Sequence, residues 1–255
     1  MVGAQLAEVG SMGITIVVVV CIGIASLLYA TAGQAGGTAF LAVMTLAASP
    51  APEMRPTALV LNILAGGYST WRLHRASAVD WPLFATLALP AIPAAFLGGL
   101  IVLSARLYFL LTGLLLIVAA IILVAKRTRK CVDEPRVEAS LATTVIGAGA
   151  GLLSGVSGVG GGVFVAPLLI TLGIASARRT AGVSAPFILA NSVVGFVGTF
   201  LAGQRVTPEV GWYAAAAILG SIAGTAIGLR WMSERSTRFV LAAILLVGGL
   251  RLLSR

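Results

Sequence analysis

The residues of this chain whose types and spacing could do chemistry are glycines rather than acids or nucleophiles. The stretch Gly155-Val156-Ser157-Gly158-Val159-Gly160-Gly161-Gly162 holds five glycines in eight positions and leads into Val163-Phe164-Val165-Ala166-Pro167. Each glycine costs a helix interior about 1 kcal/mol relative to alanine, so an ordinary helix does not run through it. A chain that breaks here and restarts as a helix presents N–H groups with no intrahelical acceptor and about half a positive charge. Glycine lets a ligand come close to that backbone, and the result is an anion site without a charged side chain. A thinner copy, Gly33-Gln34-Ala35-Gly36-Gly37-Thr38, lies in the first half. The candidate substrate-binding groups are thus Gly33, Gln34, Ala35, Gly36, Gly37 and Thr38, facing Ser157, Gly158, Val159, Gly160, Gly161 and Gly162. The competing reading is that the glycines only permit tight helix packing.

Asn62 and Asn191 add an amide each within apolar surroundings. A buried amide in lipid must find partners, so each either bonds a broken backbone or touches substrate. Ser154, Ser184 and Thr199 are weaker candidates, since hydroxyls can bond their own helix, and Tyr29 offers a phenol near the first motif. The eight acids, Glu8, Glu53, Asp80, Asp133, Glu134, Glu138, Glu209 and Glu234, all fall in joints or at ends. That leaves no intramembrane proton relay and no site for a bare divalent cation. The single histidine, His74, sits between Arg72 and Arg75 and reads as solvated. Without a Cys–His pair or His cluster, neither a metal centre nor hydrolase chemistry has its materials, so no cofactor, no metal and no catalytic residue is expected. A nucleotide loop is excluded too, because Gly155-x-x-Gly158-x-Gly160 fits neither the dinucleotide nor the phosphate-loop pattern. Arg106 and Arg235 open matching segments and read as headgroup anchors.

The elements that must position these groups follow from composition. Of 255 residues, 59% are hydrophobic and 10% charged, against about 25% charged in soluble domains. Apolar segments recur at about 12–32, 36–49, 57–72, 82–103 and 106–125, then, after a basic joint, at about 141–157, 161–174, 182–202, 210–229 and 236–253. The pattern predicts an all-α polytopic membrane protein. Its parts are an N-terminal transmembrane repeat over 1–125, a basic linker over 126–140 and a C-terminal repeat over 141–255. A shift of 125 lays Leu27-Leu28 on Leu152-Leu153, and Gly33, Gly36 and Gly37 on Gly158, Gly161 and Gly162. A shift of 129 lays Asn62, Gly66, Thr70, Gly99 and Ser104-x-Arg106 on Asn191, Gly195, Thr199, Gly228 and Ser233-x-Arg235.

With the Lys126–Arg136 joint in the cytoplasm, twelve of the 17 basic residues fall inside; only Arg55, Arg106, Arg205, Arg251 and Arg255 fall outside. That is the bias expected of membrane proteins, so the +9 net charge needs no nucleic acid to explain it. An odd number of segments per half makes the copies inverted, the plan of many secondary transporters. Both termini are then extracytoplasmic, in a multi-pass cell (inner) membrane protein. Segments 36–49 and 161–174 fall short of the roughly 20 residues a crossing needs; re-entrant half-helices or short full spans both fit the charge count.

The glycine stretch from Ser154 to Gly162, with Pro167 five residues on, resembles the signature of the TauE/SafE sulfite exporter family, also called the toluene-sulfonate uptake permeases. The resemblance extends over nearly the whole chain, with two homologous halves and a glycine motif in each. It implies a secondary transporter of small sulfur-containing anions such as sulfite, thiosulfate, sulfoacetate or other organosulfonates. The first half departs from the pattern, with Gln34-Ala35 inside its motif and Ala42 where the second half has Pro167. Transport of another small anion such as a carboxylate, or a non-transporting accessory role in the membrane, is the alternative. The expected partners are a small anion and the lipid bilayer, with homo-oligomerisation left open.

Overall fold

The computed structural model describes residues 2–31, 33–125 and 141–228, with short stretches between 243 and 254. Every regular element among them is an α-helix: α1 (Val2–Thr31), α2 (Gly37–Leu46), α3 (Ala51–Arg75), α4 (Trp81–Leu100), α5 (Ala105–Ala125), α6 (Leu141–Ser157), α7 (Gly162–Thr171), α8 (Ala177–Leu201) and α9 (Val210–Gly228). The expected linker over 126–140, Arg230, Ser233, Arg235, Arg238 and most of segment 236–253 lie outside the described residues. Among the described residues, four stretches are long and apolar enough to cross a membrane: Gly13–Thr31, Trp81–Leu100, Arg179–Leu201 and Val210–Gly228. Large apolar side chains such as Ile16, Leu89, Leu114 and Leu219 stay exposed, as lipid-facing residues do.

The helices start and stop where the local chemistry directs. Asp80 caps α4 by accepting from the Leu83 N–H at 3.0 Å, and Ser176 caps α8 by accepting from the Arg179 N–H. α1, α2 and α7 each end in a left-handed residue that returns the next N–H to an earlier carbonyl, as in Gln34 N–H to Tyr29, Ser49 N–H to Met44 and Ile174 N–H to Leu169. The left-handed residues are Gly33, Ala48 and Gly173, the arrangement that commonly ends helices. At 10 residues each, α2 and α7 are about 15 Å long. Neither can cross a hydrocarbon core of about 30 Å by itself.

The most extensive packings are α4 on α6 and α1 on α9, and both are built on glycines four residues apart. A Cβ on Gly147, Gly151 or Gly155 of α6 would lie 2.3, 2.3 or 2.1 Å from the carbonyl oxygens of Leu87, Ala91 or Ala95 of α4. In the other pair, a Cβ on Gly220, Gly224 or Gly228 of α9 would lie 2.2, 2.2 or 2.4 Å from the oxygens of Gly23, Leu27 or Thr31 of α1. Only a residue with no side chain fits at such spacing, which is the small-residue packing favoured inside bilayers. The rising register makes both pairs parallel.

α3 and α8 instead run antiparallel. The start of α3 meets the end of α8 where Thr57 accepts from the Thr207 N–H at 3.0 Å. At the other end, Asp80, just past α3, accepts from Arg179 Nε at 2.7 Å and Nη2 at 2.5 Å. Between these ends Gly66 of α3 lies against Ala185 and Leu189 of α8. This pair forms the centre around which the other helices assemble.

Candidate functional site

Both glycine motifs sit where a helix breaks and a ten-residue helix begins. In the first, α1 ends at Thr31, Gly33 turns left-handed, and Gly36 at φ 110° precedes α2. In the second, α6 ends at Ser157, Gly158 and Gly160 take φ 81° and 88°, and Gly161 at φ 76° precedes α7. Those positive φ values are the reason glycine is required at these positions. Gly161 accepts from the N–H groups of Phe164 and Val165, so the N–H groups of Gly162 and Val163 begin a helix with no intrahelical acceptor.

The fold brings the two motifs together. A Cβ on Gly37 would lie 2.5 Å from the Val159 oxygen and 2.4 Å from Asn62 Nδ2. A Cβ on Gly160 would lie 2.9 Å from the same Nδ2 and 2.8 Å from Ile188 of α8. Asn62, on α3, therefore stands between the start of α2 and the linker before α7. Its Nδ2 donates to the Gly158 oxygen at 3.3 Å, and its Oδ1 is buried without a partner. On the first motif, the Tyr29 hydroxyl and Thr38 Oγ1 share a hydrogen bond of 2.5 Å, and Gln34 is buried with Oε1 unpaired. Ala35 is fully buried and touches Gly66 at the α3–α8 crossing.

Not every candidate converges. Asn191 is fully buried, but its Nδ2 donates to the Phe187 oxygen one turn back in α8 rather than to a linker. Ser184 and Thr199 likewise bond the carbonyls of Thr180 and Phe196 in their own helix. Ser154 is buried with Oγ unpaired, its Cβ 3.3 Å from where a Cβ on Gly161 would be. His74 is exposed and meets Trp81 edge-on.

Two residues not singled out beforehand hold the second linker. Arg55, counted among the outer joint residues on sequence grounds, is 2% exposed on the second turn of α3. Its Nη1 donates to the oxygens of Ile101 at 2.8 Å and Val156 at 3.2 Å, its Nη2 to Gly99 at 2.8 Å, and its Nε to Gln204 Oε1 at 3.0 Å. Tyr108 of α5 donates its hydroxyl to the Ser157 oxygen at 3.0 Å. Three consecutive carbonyls, of Val156, Ser157 and Gly158, thus accept from Arg55, Tyr108 and Asn62. These are the orphan acceptors at the end of α6, and with them occupied the linker is fixed from three directions. A signal for Arg55 was present: it lies seven residues before Asn62, two helical turns and hence the same face.

The sequence profile described as Sulfite exporter TauE/SafE matches residues 18–252. The chain belongs to the TauE/SafE family. A relative, the probable membrane transporter protein y4hK of Sinorhizobium fredii (strain NBRC 101917 / NGR234), is 32% identical over 231 residues, covering 89% of this chain and 94% of the relative. No solved structure gives a significant match. Membership makes this TauE/SafE chain a multi-pass protein of a membrane-transporter family, in keeping with its apolar helices.

Proposed function

We propose that this TauE/SafE protein is a secondary transporter of small sulfur-containing anions: sulfite, thiosulfate, sulfoacetate or other organosulfonates. The observation that carries the reading is the meeting of two broken-helix starts at one buried amide, Asn62, between Gly37 and Gly160. Oxyanions with several acceptor oxygens suit converging N–H groups and an amide, and a neutral polar site can hold such an ion and still release it. The substrate ligands in this reading are the two glycine linkers together with Asn62, with Asn191 one turn beyond the Ile188 that abuts Gly160.

The inverted arrangement of the halves is part of the proposal. Its support is that α3 and α8, matched by sequence, run antiparallel, while the parallel packing of α4 on α6 has its counterpart in α9 on α1. Rocking one repeat against the other would expose the site to each side in turn. An inside-negative potential favours export of a bare anion by about 2.3 kcal/mol per charge per 100 mV, so net export is the direction the driving force supports. The orientation, with both termini outside and the 126–140 linker in the cytoplasm, rests on the distribution of basic residues.

The test is a thermal-shift panel on detergent-purified protein with sulfite, thiosulfate, sulfoacetate, taurine, sulfate, acetate and chloride. A ligand at a hundred times its Kd adds about 2.7 kcal/mol to the folded state. The expected result is stabilisation confined to sulfur oxyanions and abolished by Asn62→Ala. Stabilisation by acetate alone, or an undiminished response in Asn62→Ala, would refute the proposal.

A further inference from the structure

Arg55 raises a question that the anion site does not answer. A buried guanidinium normally faces a carboxylate, yet the described residues hold one ion pair, Arg179 with Asp80, and Arg55 has no acidic partner among them. What surrounds it is carbonyl oxygen: Gly99 and Ile101 at the end of α4, Val156 at the end of α6, and the Gln204 side chain. Of the five N–H groups of a guanidinium, four are engaged in this way. With one N–H left over, Arg55 lacks the two-pronged grip of a substrate clamp and takes a different part.

Helix C-termini carry about half a negative charge each, and in broken-helix transporters such carbonyl-rich ends coordinate the coupling cation. Here two of them converge and a tethered cation already occupies the place. Its position relative to the anion site is direct, because Gly158 packs on Arg55 itself: a Cβ there would lie 3.0 Å from Arg55 Cγ and 3.1 Å from its oxygen. The negative end of α6 and the positive start of α7 are separated by four residues, 158–161. Unopposed, the first would cancel much of the field the second offers an anion.

We propose, on the transport reading above, that Arg55 is a built-in counter-ion. Its guanidinium neutralises the ends of α4 and α6 in the seat of a coupling cation, leaves the start of α7 electropositive for the anion, and makes anion binding independent of sodium. Arg55 is a positioning residue in this scheme, acting through the linker and its field.

The experiment is titration of purified protein with divalent thiosulfate and monovalent methanesulfonate, in sodium and in N-methylglucamine buffers, for wild type, Arg55→Gln and Arg55→Lys. Electrostatic energy scales with ligand charge, so an Arg55→Gln loss of about tenfold for methanesulfonate should become about a hundredfold for thiosulfate. Arg55→Lys, which keeps the charge, should keep the wild-type ratio of the two affinities, and wild type should bind equally in both buffers. An equal loss for both anions in Arg55→Gln would reduce Arg55 to a structural brace and overturn the proposal. A wild-type affinity that collapses without sodium would overturn it as well, and that arm decides the matter if Arg55→Gln does not fold. Failure of wild type to bind either anion would instead refute the transport reading itself.

Discussion

Asn62 and Asn191 are matched by sequence but differ in what they hold. Asn62 donates to the Gly158 oxygen across the molecule, whereas Asn191 donates to Phe187 within its own helix. Removing a buried donor leaves its acceptor unsatisfied, at a cost of about 1–3 kcal/mol. Asn62→Ala should therefore lower the unfolding free energy by that amount. Asn191→Ala, whose Phe187 oxygen remains in the helix ladder, should cost less than about 1 kcal/mol; thermal unfolding in detergent separates the two. The burial of both amides was legible from their place in apolar segments. Their divergence was not, because it depends on which linker each helix face meets, and that is set by packing between halves. Arg55 was hidden for the same reason, since a lone arginine at the edge of an apolar run reads as a joint residue until its carbonyl partners are known.

At the scale of elements, the breaks were the readable part. A cluster of glycines followed by a short apolar run predicts a restart, and both restarts occur, at Gly37 and Gly162. The ends of α2 and α7 were less visible because one lacks the usual glycine. Ala48 takes φ 58° where Gly173 takes φ 70°. The left-handed conformation costs a non-glycine residue about 1–2 kcal/mol, so Ala48→Gly should raise the melting temperature, with a gain of about 1 kcal/mol. Of the glycines of α6 and α9, the sequence singles out Gly155 within its motif and Gly228 as the match of Gly99, but it does not reveal the rails, for a spacing of four has meaning only once a partner helix is known. Any side chain there must push two backbones apart. Gly151→Ala, whose Cβ would lie 2.3 Å from the Ala91 oxygen, should destabilise by about 1–3 kcal/mol through overpacking. Gly149→Ala, which meets nothing within 4 Å, is the matching control and should be neutral or slightly stabilising.

For the molecule as a whole, the repeat in the sequence predicts two similar halves, and in the structure the main packings join helices from the two sides of residue 126. The most extensive helix packings, α4 with α6, α1 with α9, α4 with α8 and α3 with α8, each draw one helix from either side of residue 126. The helices on the two sides of residue 126 thus interlock, while packings on one side, such as α2 on α3 and α7 on α8, are smaller. Residues 1–125 and 141–255 made as separate chains should each be unstable alone, and should co-purify when produced in the same cell. Pull-down of one tagged half with the other checks this, and independent stability of either half would contradict it.

The glycine rails also set a schedule for biogenesis. α1 leaves the ribosome well before α9, the helix whose glycines seat its carbonyls, which begins at Val210. At roughly 5–20 residues per second, α1 waits on the order of ten seconds in the membrane with that groove-facing surface bare. During that interval it is open to lipid, to chaperones and to quality-control proteases. A ribosome that stalls after α8 would leave a chain with the packings among α3, α4, α6 and α8 complete and α1 without its main partner. α1 is thus the natural handle by which a cell could tell an unfinished copy from a finished one.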